Sequence, residues 1–225
     1  RVYEFILRFT FLEILSTKII ALTTRAHQSQ HSQNSQIPKT LLHISMHSIY
    51  SDFVATYSDS PGASFSAARA WCTFALQMCS KHPCAVFDLD QTLIDSGRKL
   101  EKAIEFLVWC KENGIFVFIV TARPTDAEEA TRRQIKEAGI SVDGLYMMPP
   151  LSRARKIRFA DVAQYKYDAR GLIGVHYSIL VCVGDQWSDF ASEEQLRNVR
   201  PFLLQHKHDK GVFFLPGTDH VSIRV

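Results

Sequence analysis

From Gly62 onward the apolar positions of this chain recur with two alternating periods. Over Ala63–Ser80, Phe65, Ala68, Trp71, Cys72, Phe74 and Leu76 fall at roughly helical spacing, which predicts a helix. Cys84–Phe87 is a short apolar run that predicts a first strand, and it stops abruptly at Asp88 and Asp90. Gly97–Asn113 predicts a second helix, with Leu100, Ile104, Phe106, Leu107 and Trp109 apolar and Gly114 as its stop signal. Ile115–Val120 is continuous and β-branched, as in a strand buried on both faces. Thr125–Gly139 predicts a third helix, opened by the capping-box pattern Thr125-Asp126-Ala127-Glu128. Leu145–Met148 predicts a short strand, Ala160–Ala169 a helix, Ser178–Val183 a strand and Val212–Leu215 an edge strand. Such alternation predicts an α/β fold, a mostly parallel sheet with helices on both faces. Chemistry in such sheets sits beyond the carboxyl ends of the strands.

The first sixty residues follow a different pattern. Arg1–Leu22 is rich in Phe, Ile and Leu, but Glu4, Arg8, Glu13 and Lys18 interrupt it, so no uncharged run approaches the roughly 20 residues a bilayer span needs. It reads as an amphipathic surface helix, with neither the clean apolar centre nor the cleavage site of a signal peptide. The tract His27–Gln36 holds no apolar residue between Gln, Ser, His and Asn until Ile37, and reads as a linker. The expected division is therefore an N-terminal extension over 1–60 and a structured domain over 61–225. The first methionine is Met46, and residues before it are expected to lie outside the working domain. With no export signal in view, a cytoplasmic setting is favoured.

Composition narrows the classes. A 46% hydrophobic and 22% charged chain is that of a globular protein, and a net charge of +3 over 225 residues lacks the concentrated basic stripe of a nucleic-acid binder. The five cysteines, Cys72, Cys79, Cys84, Cys110 and Cys182, include no C-x-x-C pair; they read as reduced packing thiols.

The strand ends carry the candidate chemistry. The first ends in Asp88-Leu89-Asp90, the second in Thr121-Ala122-Arg123-Pro124, and Ile179–Val183 ends in Gly184-Asp185-Gln186-Trp187-Ser188-Asp189. A polar turn explains any one of these, but three strands delivering acids and a hydroxyl to one sheet edge point to catalysis. Converging carboxylates are costly to desolvate, and a hard divalent cation is the usual remedy; Asp88 and Asp185 suit magnesium, which takes oxygen ligands and bridges to phosphate. Phosphoryl transfer then needs a nucleophile, positioning and charge neutralisation. Asp88 is the candidate nucleophile and Asp90 the candidate acid and base. Thr121, with Ala122 and Arg123 behind it, is the candidate phosphate cradle. A cation is still required. Lys156 lies in a basic run, Arg153–Lys156, that reads as solvated surface, so Lys166 is preferred.

Phe87-Asp88-Leu89-Asp90-Gln91-Thr92, Val120-Thr121-Ala122-Arg123-Pro124, Tyr165-Lys166 with Arg170, and Val183-Gly184-Asp185-Gln186-Trp187-Ser188-Asp189 resemble the four motifs of the haloacid dehalogenase-like phosphatases. The Gly-Asp-Gln-Trp-Ser-Asp string and the Tyr-Lys setting are most similar to the acid phosphatase branch, subfamily IIIB, with its plant vegetative storage proteins. The resemblance implies a Rossmann-like three-layer sandwich and Mg²⁺-dependent hydrolysis of phosphomonoesters through an aspartyl-phosphate on Asp88. It implies Thr121 and Lys166 as phosphate contacts, Asp185 and Asp189 as acids on the metal side, and the backbone carbonyl of Asp90 as a further metal ligand. Gln91 departs from the branch, which commonly has another acid there.

Only 33 positions separate Asp88 from Thr121 and 64 separate Thr121 from Asp185, which leaves no room for a large cap domain. An uncapped site is open to solvent and tolerates bulky phosphoesters, so selection falls to loop residues such as Arg98, Trp187 and the Arg153–Lys156 run. A small-molecule phosphomonoester is the expected substrate. For Trp187, packing beneath the loop and stacking on substrate both remain open. Two other readings stand beside the phosphatase: a nucleic-acid 3′-end phosphatase, suggested by the open site and basic run but not favoured, and a catalytically idle storage or binding protein.

Overall fold

The computed structural model describes residues 61–150, 158–198, 210–213, 215 and 220–225. The readings made for residues 1–60 and for the Arg153–Lys156 run fall outside them. Helix α1 (Pro61–Ala75) runs into a 3₁₀ turn over Leu76–Met78, and strand β1 (His82–Phe87) follows. The chain then makes a small hairpin, β2 (Ile94–Asp95) and β3 (Arg98–Lys99), before α2 (Glu101–Glu112). Here the structure revises the helix expected from Gly97. Ser96 and Gly97 both have positive φ, 49° and 81°, the backbone of a two-residue hairpin turn, so the helix cannot begin until the chain has turned back.

Strand β4 (Phe116–Pro124) carries the Thr121 segment to its end. The expected capping box at Thr125 does not form: Thr125–Ala127 is a 3₁₀ turn, and α3 (Glu128–Glu137) starts after it without a side-chain cap. Strand β5 (Gly144–Met148) precedes α4 (Phe159–His176), which extends seven residues beyond the expected end at Ala169. Its buried stripe is Ala163, Lys166, Ala169, Arg170 and Ile173, so two cations interrupt the apolar period where the sequence pattern gave out. Strand β6 (Tyr177–Gly184), a 3₁₀ turn over Trp187–Asp189, α5 (Glu193–Asn198), β7 (Gly211–Phe213) and β8 (Val221–Arg224) complete the described chain.

The six-stranded sheet has the order β5-β4-β1-β6-β8-β7, parallel throughout except where β7 runs antiparallel to β8. The chain builds outward from β1 through β4 to β5, then returns to the other side of β1 with β6. That reversal is the switch point of a doubly wound, Rossmann-like sheet, and the carboxyl end of β1 lies at it. Strand β8 was not expected from the sequence; it is parallel to β6 and inserted inside the edge strand that was.

Alternation along β1 feeds two cores. Cys84 and Val86 join Phe118, Val120 and Cys182 beneath Ala169 and Ile173 of α4, with Phe190, Leu196 and Leu215 around them. Phe87 lies on the other side, its ring 6.0 Å from Phe106 of α2, which is 5.3 Å from Phe65 of α1. Trp71 ties α1 to the sheet by donating from its indole N–H to the Leu180 carbonyl at 2.8 Å. Helices thus cover both faces, giving the expected three layers, and no large cap domain interrupts the sheet among the described residues. All five cysteines are free thiols. No described helix is long and apolar enough to cross a membrane.

Candidate active site

Register at the switch point aligns the candidate residues. Phe87 is paired with Ile119 on β4 and with Val183 on β6, so the next residues of all three strands emerge side by side. The Asp88 amide still donates to the Val183 carbonyl at 2.8 Å, which fixes the backbone where its side chain departs. Leu89 then accepts from the amides of Leu93 and Ile94 at 2.9 and 3.0 Å, closing the turn that leads to the hairpin. Gln91 sits inside that turn at φ 57°, a backbone region that non-glycine residues seldom occupy.

Three ionic side chains meet beneath this edge. Lys166 comes up from α4 and donates to Asp88 Oδ1 at 2.7 Å and, by a still shorter bond, to Asp189 Oδ1. The three side chains are between 3% and 7% exposed, so the cluster is dry. One turn along α4, Arg170 donates to the backbone carbonyl of Asp189 at 2.7 Å, holding the 3₁₀ turn against the helix. The amide of Gln186 donates to the other Asp189 oxygen at 2.8 Å. A Cβ at Gly184 would fall within the Asp189 side chain, so only glycine lets that acid fold back under the strand end.

The electrostatics are unbalanced. Burial, then the neighbouring Asp189, push the Asp88 carboxyl up to about 8, and the attraction of Lys166 offsets this only in part. Burial also works against the charge of Lys166, but Asp189 and Asp88 outweigh it and hold its pKa above the ordinary range. Asp185, half-buried, is raised by burial, while a hydrogen bond from Gln186 works the other way. Asp88, Asp185 and Asp189 each offer a carboxylate oxygen, all within 4.8 Å of one another. Three hard donors, of which Lys166 bonds only Asp88 and Asp189, form a set that suits a divalent cation, which would relieve the repulsion burial creates.

The remaining expected residues form the rim. Thr121 is buried, and its hydroxyl oxygen accepts the Arg123 amide at 3.2 Å while keeping its own proton to donate. Ala122 lies between them on the same strand end. Asp90 stands apart from the acid cluster, half-exposed, with its carboxylate held by the Arg123 side chain. Arg98 is exposed on the hairpin. Trp187 packs against the α4-side core, with the Arg224 guanidinium 4.8 Å from its ring centroid.

Arg224 is the residue the sequence reading missed. From β8, its Nε donates to the Asp185 carbonyl at 3.0 Å, and the following Val225 amide donates to the Gly184 carbonyl at 3.0 Å. The strand that was not foreseen therefore braces the loop bearing Asp185. Its one signal was the apolar alternation of Val221 and Ile223 just before the chain end.

A buried acid–lysine–acid cluster past the switch point of a doubly wound sheet defines an α/β enzyme whose site concentrates charge for an anionic substrate. The chain belongs to subfamily IIIB, the acid phosphatases, of the haloacid dehalogenase superfamily, whose model matches residues 95–218. It is a phosphatase, a hydrolase of phosphomonoesters. Thr121, Lys166, Asp185 and Asp189 all fall within the matched region, whereas Asp88 and Asp90 lie outside it, before its start at residue 95. Among solved structures, the chain is similar to a class C acid phosphatase from Bacillus anthracis with tungstate bound. That match has 17% identity and a TM-score of 0.51, covering 65% of this chain and 71% of that one. It is also similar, at 21% identity and a TM-score of 0.41, to a chain of the Pnkp1/Rnl/Hen1 RNA repair complex, covering 48% of this chain and 38% of that one. No curated protein matches the sequence.

Proposed function

We propose that this phosphatase hydrolyses small phosphomonoesters through an aspartyl-phosphate on Asp88, with a magnesium ion held by Asp88, Asp185, Asp189 and the Asp90 carbonyl. The observation that carries this reading is the position of Asp88. It lies at the central strand end, buried, hydrogen-bonded to Lys166 and within 4.8 Å of two further acids through its carboxylate oxygen. When bound, the ion would neutralise charge on the acids and on the transferring phosphoryl group.

The chain's own residues account for the rest. An Asp88 carboxylate oxygen attacks phosphorus; the new O–P bond forms as the bond from phosphorus to the ester oxygen breaks. Lys166 keeps positive charge beside the nucleophile throughout, since both flanking acids favour its protonated form. The Thr121 hydroxyl, which keeps its proton to donate, orients a phosphoryl oxygen. Asp90 gives its proton to the departing alcohol. It then takes one from the water that attacks phosphorus, and the O–P bond to Asp88 breaks to release phosphate.

The half-exposed Asp90 and exposed Gln186 flank this cluster, and an opening of that kind admits a small ester without a lid. The reading as a nucleic-acid end phosphatase rests on the open site, which serves a small ester equally well, and on the Arg153–Lys156 run, which lies outside the described residues.

The test is hydrolysis of an aryl phosphate with magnesium or with a chelator, in wild type and Asp88→Asn. Wild type is expected to turn over only with the metal, and to yield an acid-stable phosphorylated protein on rapid quenching of a labelled substrate only if trapped before hydrolysis. Equal rates in Asp88→Asn and wild type would rule out the nucleophile. Full activity with chelator would rule out the metal.

A further inference from the structure

The rim ion pair is more tightly specified than its exposure suggests. Arg123 lies two residues beyond Thr121, and its Nε donates to Asp90 Oδ2 at 2.8 Å while one terminal nitrogen donates to Oδ1 at 2.6 Å. Two parallel bonds from a planar fork fix the plane of a carboxylate as well as its position. The other terminal nitrogen reaches the opposite way, to Gln134 Oε1 at 2.7 Å and the Thr131 hydroxyl at 3.4 Å. Both of those partners are on α3, and Thr131 is only 1% exposed, so the anchor belongs to the packed body of the domain. All three guanidinium nitrogens are engaged, and a single N–H is left over.

Asp90 has little else to hold it. Its side chain is 53% exposed, it follows the end of β1, and Gln91 after it turns into the left-handed region. Among the described residues, Arg123 is the only side chain hydrogen-bonded to its carboxylate. A short acid on an open loop would otherwise sample several rotamers, and proton transfer demands one within hydrogen-bond reach of the ester oxygen.

We propose that Arg123 is a positioning residue that clamps Asp90 for proton delivery by tying its carboxylate to α3, and is not a phosphate ligand. This rests on the reading of Asp90 as acid and base. The fork takes one lone pair from each carboxylate oxygen. The second lone pair of either oxygen carries the proton that passes to the ester oxygen as its bond to phosphorus breaks.

The leaving group separates the two roles. 4-Nitrophenolate departs without a proton, whereas an alkoxide needs one. The ratio kcat/KM covers only the steps through transfer to Asp88, so it isolates that first proton. The experiment measures kcat/KM for 4-nitrophenyl phosphate and for a simple alkyl phosphate, with inhibition by inorganic phosphate, in wild type, Asp90→Asn, Arg123→Lys, Gln134→Leu and Asp90→Asn/Arg123→Lys. Circular dichroism checks that each variant is folded. Asp90→Asn is expected to lose about 10²–10⁴-fold on the alkyl ester and far less on the aryl ester. Arg123→Lys, which keeps the charge but not the fork, is expected to show the same bias, with a loss on the alkyl ester of about 10–10²-fold. It should leave inhibition by phosphate within about twofold of wild type and add nothing to Asp90→Asn in the double variant. Gln134→Leu touches only the anchor, and should show a smaller loss with the same bias.

Equal losses on both esters together with weakened inhibition by phosphate would make Arg123 a phosphate ligand and overturn the proposal. Unchanged kinetics in Arg123→Lys would make the pair a surface contact and overturn it as well. If Asp90→Asn itself shows no bias toward the alkyl ester, the acid–base reading fails and this inference falls with it. If Asp90→Asn shows the bias and Arg123→Lys does not, only the inference fails.

Discussion

Two ionic groupings, built on Asp88 and Asp90 at the same strand end, use the same chemistry in opposite surroundings. Lys166 with Asp88 and Asp189 is sealed under the sheet edge, at 3–7% exposure, while Arg123 with Asp90 stands at the rim, at 22% and 53%. In the buried cluster every charge depends on its neighbours, because no water is available to replace a missing partner. At the rim, solvent can replace either partner, so the pair is worth little to stability and its value lies in geometry. The strand ends thus combine a site that must stay assembled with a site that must stay aimed.

Lys166→Ala tests the buried half and carries the largest expected effect. It removes the one cation bonded to the buried Asp88 and Asp189, and breaking a buried pair in this way costs about 3–5 kcal/mol. Urea unfolding of the metal-free protein is the measurement, with aryl phosphate hydrolysis alongside. Turnover should fall by at least about 10²-fold, far more than for Lys156→Ala in the basic run. A stability loss under about 1 kcal/mol would show that water reaches the cluster, and the contrast with the rim would collapse.

Asp88→Asn should separate stability from activity in the same cluster. The Asp88 carboxyl is raised to about 8 in the folded protein, against about 4 in an unfolded chain. The folded state therefore holds a proton there that the unfolded state has released. Stability from this group is complete below about pH 4 and is lost as pH rises toward 8. Asparagine cannot titrate, so the metal-free variant should match wild type near pH 4 and grow progressively more stable than it up to pH 8, while losing turnover. A gap that shrinks as pH rises would reverse the sign and refute the repulsion argument.

Much of this buried half was legible in the sequence, and the reason is geometric. Apolar runs that end in acids mark strand ends, and parallel strands end together, so the sequence alone groups Asp88, Thr121 and Asp185 at one sheet edge. The local setting of Lys166 favours it over Lys156, and α4 outruns its apolar pattern because Lys166 and Arg170 occupy its buried stripe and break the apolar period. What the sequence hid depends on partners distant along the chain. The hairpin at Ser96-Gly97 resembled a helix start, because nothing local reveals that the backbone turns at positive φ. Strand β8 is four residues long and became recognisable only through its pairing with β6. The tie from Arg123 to Asp90 spans 33 positions, and no spacing rule connects them.

His220 extends the comparison to acid conditions with a smaller effect of opposite sign. It is buried beside the cluster's support, and burial first, then the Arg170 charge, lower its pKa to about 3, against a hydrogen bond involving the Phe190 backbone. The folded protein keeps the ring neutral while an unfolded chain protonates it near pH 6.5, so stability from this group is present above that pH and is lost as pH falls toward 3. Between pH 7 and pH 5 the loss should be about 1–2 kcal/mol. The Asp88 carboxyl works in the other direction over that range, so the readout is the difference between variants. His220→Asn should gain stability relative to wild type as pH falls from 7 to 5, and a constant difference would place the acid sensitivity elsewhere.

The smallest expected effect decides whether the rim is only an aiming device. Asp90→Asn removes the charge that Arg123 holds, but water replaces it at both ends, and exposed pairs of this kind contribute less than about 1 kcal/mol. Arg123 also keeps its bonds to Gln134 and Thr131, so α3 loses no anchor. Urea midpoints of Asp90→Asn and wild type should therefore nearly coincide, even though its loss on alkyl phosphates is among the largest in catalysis. A destabilisation approaching that of Lys166→Ala would mean that the rim pair braces the fold as the buried cluster does. Its bidentate geometry would then report on packing between the hairpin turn and α3, not on proton transfer.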